Sequence, residues 1–181
     1  MLEDMISVFE TANQSFLEKE TKSILLGVSE RNLCGSLMLH LRNALDATDY
    51  KQYHVDIEYN RNRDGKIKTI VNGEPTPISI CCDLIVHSRG EIPAQDNLIA
   101  LEMKRSTHSR AEKDKDKLRL KCLTKDSFDD VWSFDGENFP EHVCRYVLGV
   151  YYEVNKEARQ VDVKYYVKGK LHKEHRVKLA H

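Results

Sequence analysis

The chain has 181 residues, 28 of them Lys or Arg and 29 Asp or Glu, with 40% hydrophobic and 8% aromatic residues. A chain of this length buries roughly 70% of its unfolded surface, so its core needs no disulfide or structural metal. Its five cysteines are odd in number and lack CxxC or Cys/His spacing, which excludes a zinc module and fits a reducing, cytoplasmic compartment. No apolar stretch is long enough to span a bilayer and the N-terminus has no signal-peptide pattern, so neither secretion nor membrane insertion is expected.

The net charge of −1 conceals an asymmetry along the chain. Residues 1–30 carry a net −4, whereas Lys104–Lys121 and Lys164–Lys178 each carry a net +5. On one face these two segments would make a local anion-binding surface; the alternative, solvated charge on exposed helix and strand faces, is the reading that the count alone favours.

Without repeats or a proline-rich linker, residues 1–181 read as one domain. Leu2, Met5, Ile6, Phe9 and Phe16 recur at helical spacing and predict an amphipathic helix over 2–19. Ser29 suits the N-cap of a second helix whose stripe is Leu33, Leu37, Leu41 and Leu45. The period then changes to two: Tyr53, Val55, Ile57 and Tyr59 alternate with polar residues, as in a strand with one wet face. A turn over Asn62–Gly65 leads to a short strand at Lys66–Val71. Ile78–His87 is apolar on both faces except for Ser79 and Asp83 and predicts a central strand, with Asn97–Lys104 a second buried one. Residues 110–124 predict an exposed helix with Leu118 and Cys122 inward. Val143–Val154, Gln160–Lys168 and Leu171–Leu179 read as strands. This order implies an α/β fold, a mixed sheet flanked by helices.

An acid followed two residues later by lysine occurs five times, at Glu20, Asp49, Asp64, Glu102 and Asp162, so the pattern alone carries no information. Glu102 and Lys104 differ in context: they end an apolar run on a buried strand, and period two puts both on one face. Asp162 and Lys164 lie on a half-exposed strand and serve as a negative control. Asp83 lies inside the other buried strand, where a carboxylate is costly unless paired, neutralised or metal-bound. Glu30 precedes Leu33 and Cys34 by three and four residues and points to the buried side of its helix, although an acid in a first helical turn needs no catalytic role. Three inward acids and one lysine can form a site for Mg²⁺, which takes a few carboxylate oxygens plus water and phosphate. The bland alternative is a structural ion pair between Lys104 and one acid.

Glu30 on a helix, then Asp83, then Glu102-Met103-Lys104 after an apolar strand resembles the PD-(D/E)XK nuclease superfamily over residues 28–153. Cys82 stands where the superfamily's name has proline, a position that binds no metal. The resemblance implies a restriction endonuclease-like αβββαβ core, with 1–27 an appended helix and 154–181 added strands. It implies a nuclease dependent on Mg²⁺ or Mn²⁺ that cuts phosphodiester bonds, in DNA before RNA. Asp83, Glu102 and the Met103 carbonyl would be metal ligands, Glu30 would act through water or at a second metal, and Lys104 would act electrostatically. The alternative from another class is an inactive nuclease-fold module that binds nucleic acid or a protein.

Arg61, Arg89, Arg110, Lys113 and Lys117 are expected nucleic-acid contacts, against intrahelical salt bridges for the last three. His87 is expected to be a hydrogen-bonded structural histidine at the border of the cleft, and Glu58, marginally ahead of Asp56, a supporting acid. The apolar face of 2–19 could serve a homodimer but is better used on the chain's own core.

Overall fold

The computed structural model describes residues 1–59, 69–70, 78–79, 81–126 and 144–179. Helix α1, Leu2–Leu26, extends past its predicted end because Leu17 and Ile24 continue the apolar stripe one heptad on. It closes at Gly27, whose φ of 80° lets its N–H reach the carbonyls of Ser23 and Ile24. Helix α2, Glu30–Asp46, starts at Ser29, whose hydroxyl accepts the Asn32 N–H at 3.2 Å, and buries Leu33, Leu37, Leu41 and Leu45.

The strands are β1 His54–Ile57, β2 Thr69–Ile70, β3 Ile78–Ser79, β4 Leu84–His87, β5 Asn97–Arg105, β6 Leu148–Asn155, β7 Gln160–Val167 and β8 Lys170–Lys178, with helix α3, Arg110–Leu123, between β5 and β6. Six of them form one mixed sheet in the order β1-β4-β5-β6-β7-β8, in which only β5 and β6 are parallel; β2 and β3 pair separately. The fold is therefore α/β, a six-stranded mixed sheet with three helices.

Alternation sorts the strand residues between two apolar layers. Leu84, Val86, Leu101, Met103, Val150, Tyr152, Val163 and Tyr165 pack with α1 and α2. Ile85, Ala100, Tyr151 and Tyr166 pack on the other side with Leu120, Cys122 and Leu123 of α3. The apolar face of α1 is spent in the first layer, where Phe9 meets Tyr152 and Tyr165 edge to face. No helix among the described residues is long and apolar enough to cross a membrane.

Three elements depart from their predicted form. The run 78–87 is two strands, and Cys81 between them is exposed. The strand predicted from Val143 begins at Leu148, because Arg145 takes a left-handed φ of 65° while its N–H and that of Tyr146 bond to carbonyls at the end of α3. In α3 Cys122 is buried as expected, but Leu118 is 42% exposed, and Asp116, Leu120 and Leu123 are the other inward residues. Of the strand predicted at 66–71, Thr69–Ile70 is described; Arg61 and the turn at 62–65 lie outside the described residues.

Candidate active site

The site is made by strand register. Leu84 pairs with Leu101 and Ile85 with Ala100 across antiparallel β4 and β5. One step further along this ladder, Asp83 stands opposite Glu102, and the Glu58 N–H bonds the Asp83 carbonyl at 3.3 Å to keep the chain in line. Directly opposite residues share a face, and period two adds Lys104 to it. That face is the one α3 covers.

Glu30 arrives from the opposite layer, at the first turn of α2. Its Oε1 accepts the Arg105 backbone N–H at 2.8 Å and lies 3.0 Å from Nε2 of His108; its Oε2 is 4.0 Å from the Lys104 ammonium. The Arg105 guanidinium donates to the carbonyls of Gly27 and Val28, which ties the α1–α2 turn, and with it Glu30, to the end of β5.

Helix α3 completes the cluster with two residues that the sequence reading did not single out. Asp116 Oδ2 is 3.2 Å from Lys104 Nζ, and its Oδ1 is 3.2 Å from Nη1 of Arg119. Arg119 donates through the same nitrogen to Glu102 Oε1 at 2.5 Å. Asp83 Oδ2 accepts the Met103 N–H at 2.8 Å.

Burial pushes the Glu102 carboxyl up to about 8; Arg119 opposes the rise, while Asp83 and Asp116 add to it. Asp83 is raised for the same first reason, with the Met103 N–H and Lys104 acting against it. For Lys104 burial acts to lower the value, but the charges of Asp83, Asp116 and Glu30 outweigh it and hold the ammonium above its ordinary range. Lys104 is thus a firm cation at neutral pH.

Among the described residues no three His, Cys, Asp or Glu side chains stand in a metal-holding arrangement. Structural zinc, which needs four protein donors, does not fit. Two carboxylates facing across a strand pair do fit Mg²⁺, which takes one or two carboxylates and fills its remaining positions with water and phosphate.

The expected nucleic-acid contacts fare differently. Arg89 is held by Asp56 through Nη2 at 2.5 Å and Nε at 2.8 Å, and Asp56 also holds His87, which is buried as a structural histidine, at 2.9 Å. The acid in this network is Asp56; Glu58 pairs with Arg31 at 3.3 Å instead. Lys113 is fastened to Glu153 at 2.8 Å and to the Ser106 carbonyl at 2.7 Å, and Lys117 to Asp114 at 3.2 Å. Arg110 is 95% exposed and reaches Asp114 at 3.5 Å. Arg61 lies outside the described residues. The control pair behaves as a half-exposed pair should: Asp162 joins Arg176 at 2.6 Å, and Lys164 joins Glu174.

No family model, curated protein or solved structure matches the chain.

Proposed function

We propose that the chain is a metal-dependent nuclease with a restriction endonuclease-like core over residues 28–153, hydrolysing phosphodiester bonds of nucleic acid, DNA before RNA. The observation that carries this reading is the register of β4 and β5, by which Asp83 faces Glu102 with Lys104 on the same side, all beneath α3. A buried carboxylate raised to about 8 is a poor choice for stability alone and a suitable one for a cation site.

Asp83 and Glu102 would hold Mg²⁺ or Mn²⁺, with the Met103 carbonyl as a further oxygen donor and Glu30 acting through water. Such a cation, when bound, lowers the pKa of its water and offsets charge on the phosphoryl oxygens. Lys104, kept protonated by its acidic neighbours, serves as a fixed positive charge for the pentavalent phosphorane rather than as a general base. Glu30, anchored to the Arg105 N–H, sets the distance between α2 and the end of β5. None of the five cysteines is in a disulfide, which suits a cytoplasmic enzyme.

Purified protein with Mg²⁺ or Mn²⁺ should nick or degrade DNA, and EDTA should stop it. Lys104→Ala should lower kcat by about 10²- to 10³-fold with nearly unchanged DNA binding, because a charge that acts in the transition state does not set ground-state affinity. The grip of Arg119 on Glu102 favours a second reading, an inactive module of the same fold that binds nucleic acid or a protein. Tight binding of DNA or RNA without cleavage under either metal would establish it.

A further inference from the structure

Glu102 is 1% exposed, and its described partner is the Arg119 guanidinium. Arg119 also touches Asp116, whose other oxygen is buried and pairs with Lys104 at 3.2 Å. Glu102, Arg119, Asp116 and Lys104 thus form a chain of alternating sign that leaves β5 at Glu102, runs along α3 and returns to β5 at Lys104. Two residues along a strand advance about 6.7 Å and three along a helix bring side chains about 5–6 Å apart, so Asp116 and Arg119 match Glu102 and Lys104 in spacing.

The cluster is not neutral. Glu30, Asp83, Glu102 and Asp116 face two permanent cations, Lys104 and Arg119, so with all four acids ionised it carries an excess charge of −2, which one divalent cation would cancel. Exposure decides which member can move: Glu102 is sealed in the sheet, Asp116 is 7% exposed and Arg119 is 27% exposed at the edge of α3.

We propose that Arg119 is the resident counter-cation of Glu102, a positioning residue that holds the carboxylate in place without metal and yields it to a divalent cation. This rests on the nuclease reading of the site and adds to it a role for α3. The proposal makes Arg119 and the metal interchangeable as positive charge on Glu102. A structural arginine would be needed equally with and without metal.

Thermal unfolding of the full chain at mildly alkaline pH, in EDTA and in saturating Mg²⁺, separates these cases. Arg119→Gln should melt below the wild type in EDTA and recover most of the deficit in Mg²⁺. Its metal-induced shift should exceed that of the wild type by about 3 °C or more, corresponding to roughly tenfold tighter binding. Arg119→Lys, which keeps the charge, should fall between them. Equal deficits with and without Mg²⁺ would overturn the proposal while leaving the metal site standing, since the wild type would still shift. Absence of any shift in the wild type would remove the metal reading and this proposal together. Should Arg119→Gln fail to fold, arginine side-chain NMR of the wild type decides: Mg²⁺ should move the Arg119 resonance towards that of a solvated guanidinium, and an unchanged resonance would overturn the exchange.

Discussion

Glu102 is the residue on which the site's electrostatics turn. Its folded value of about 8 lies above the ordinary carboxylate value of 4.5, so the folded chain binds this proton more tightly than the unfolded chain does. The resulting stabilisation is complete below about 4.5 and is lost as pH rises through about 8. Asp83 is raised in the same direction and adds to the trend. Metal-free wild-type protein should therefore lose resistance to urea between these limits, and Glu102→Gln, which cannot titrate, should show a flatter profile whatever its absolute stability. Parallel profiles in EDTA would mean that Glu102 is ionised throughout and fully compensated by Arg119. Lys104 has the opposite protection: three acids hold its proton, and its 3.2 Å contact with the buried Asp116 carboxylate shows how closely α3 is applied to this face.

At the scale of elements, α3 is the part that makes a site out of a strand pair, and its approach depends on one glycine. A methyl group at Gly149 of β6 would lie 3.0 Å from Thr124 Cγ2, 3.3 Å from Tyr166 Cβ and 3.4 Å from Leu120 Cβ. Gly149→Ala should cost about 1–3 kcal/mol by overpacking. Because it pushes the helix outward, it should also weaken Mg²⁺-induced stabilisation, read by calorimetry beside the wild type; unchanged stability would show that α3 has slack. The two strand partners of the site were legible in the sequence because Asp83 and Glu102 each interrupt an apolar run, and a polar interruption of a buried strand stands out against period two. Asp116 and Arg119 were not legible, since α3 has acids and bases all round and its inward stripe begins with an acid rather than a leucine. Only the phase of Leu120 and Leu123 marks Asp116 as inward, and a reading centred on Leu118 hides it. The break in the run 78–87 was concealed in another way, because Cys81 counts as apolar by composition while it stands in solvent.

For the whole molecule, near-neutrality is reached by interleaving rather than by separation. The basic segments 104–121 and 164–178 meet at one cleft: Lys117 lines it with Lys164 and Arg176, but Glu153, Asp162 and Glu174 line it too. Lys113, Lys117 and Arg89 are already held by acids of the chain, so a phosphate backbone must compete with these pairs. With its four acids ionised, the buried cluster between the sheet and α3 is net negative, which suits a divalent cation. Crystals soaked in Mn²⁺ and measured for anomalous scattering test this most directly. One peak is expected between the carboxylates of Asp83 and Glu102, with the Arg119 guanidinium drawn away from Glu102; soaked crystals with no peak there, and Arg119 still seated on Glu102, would contradict a cation site.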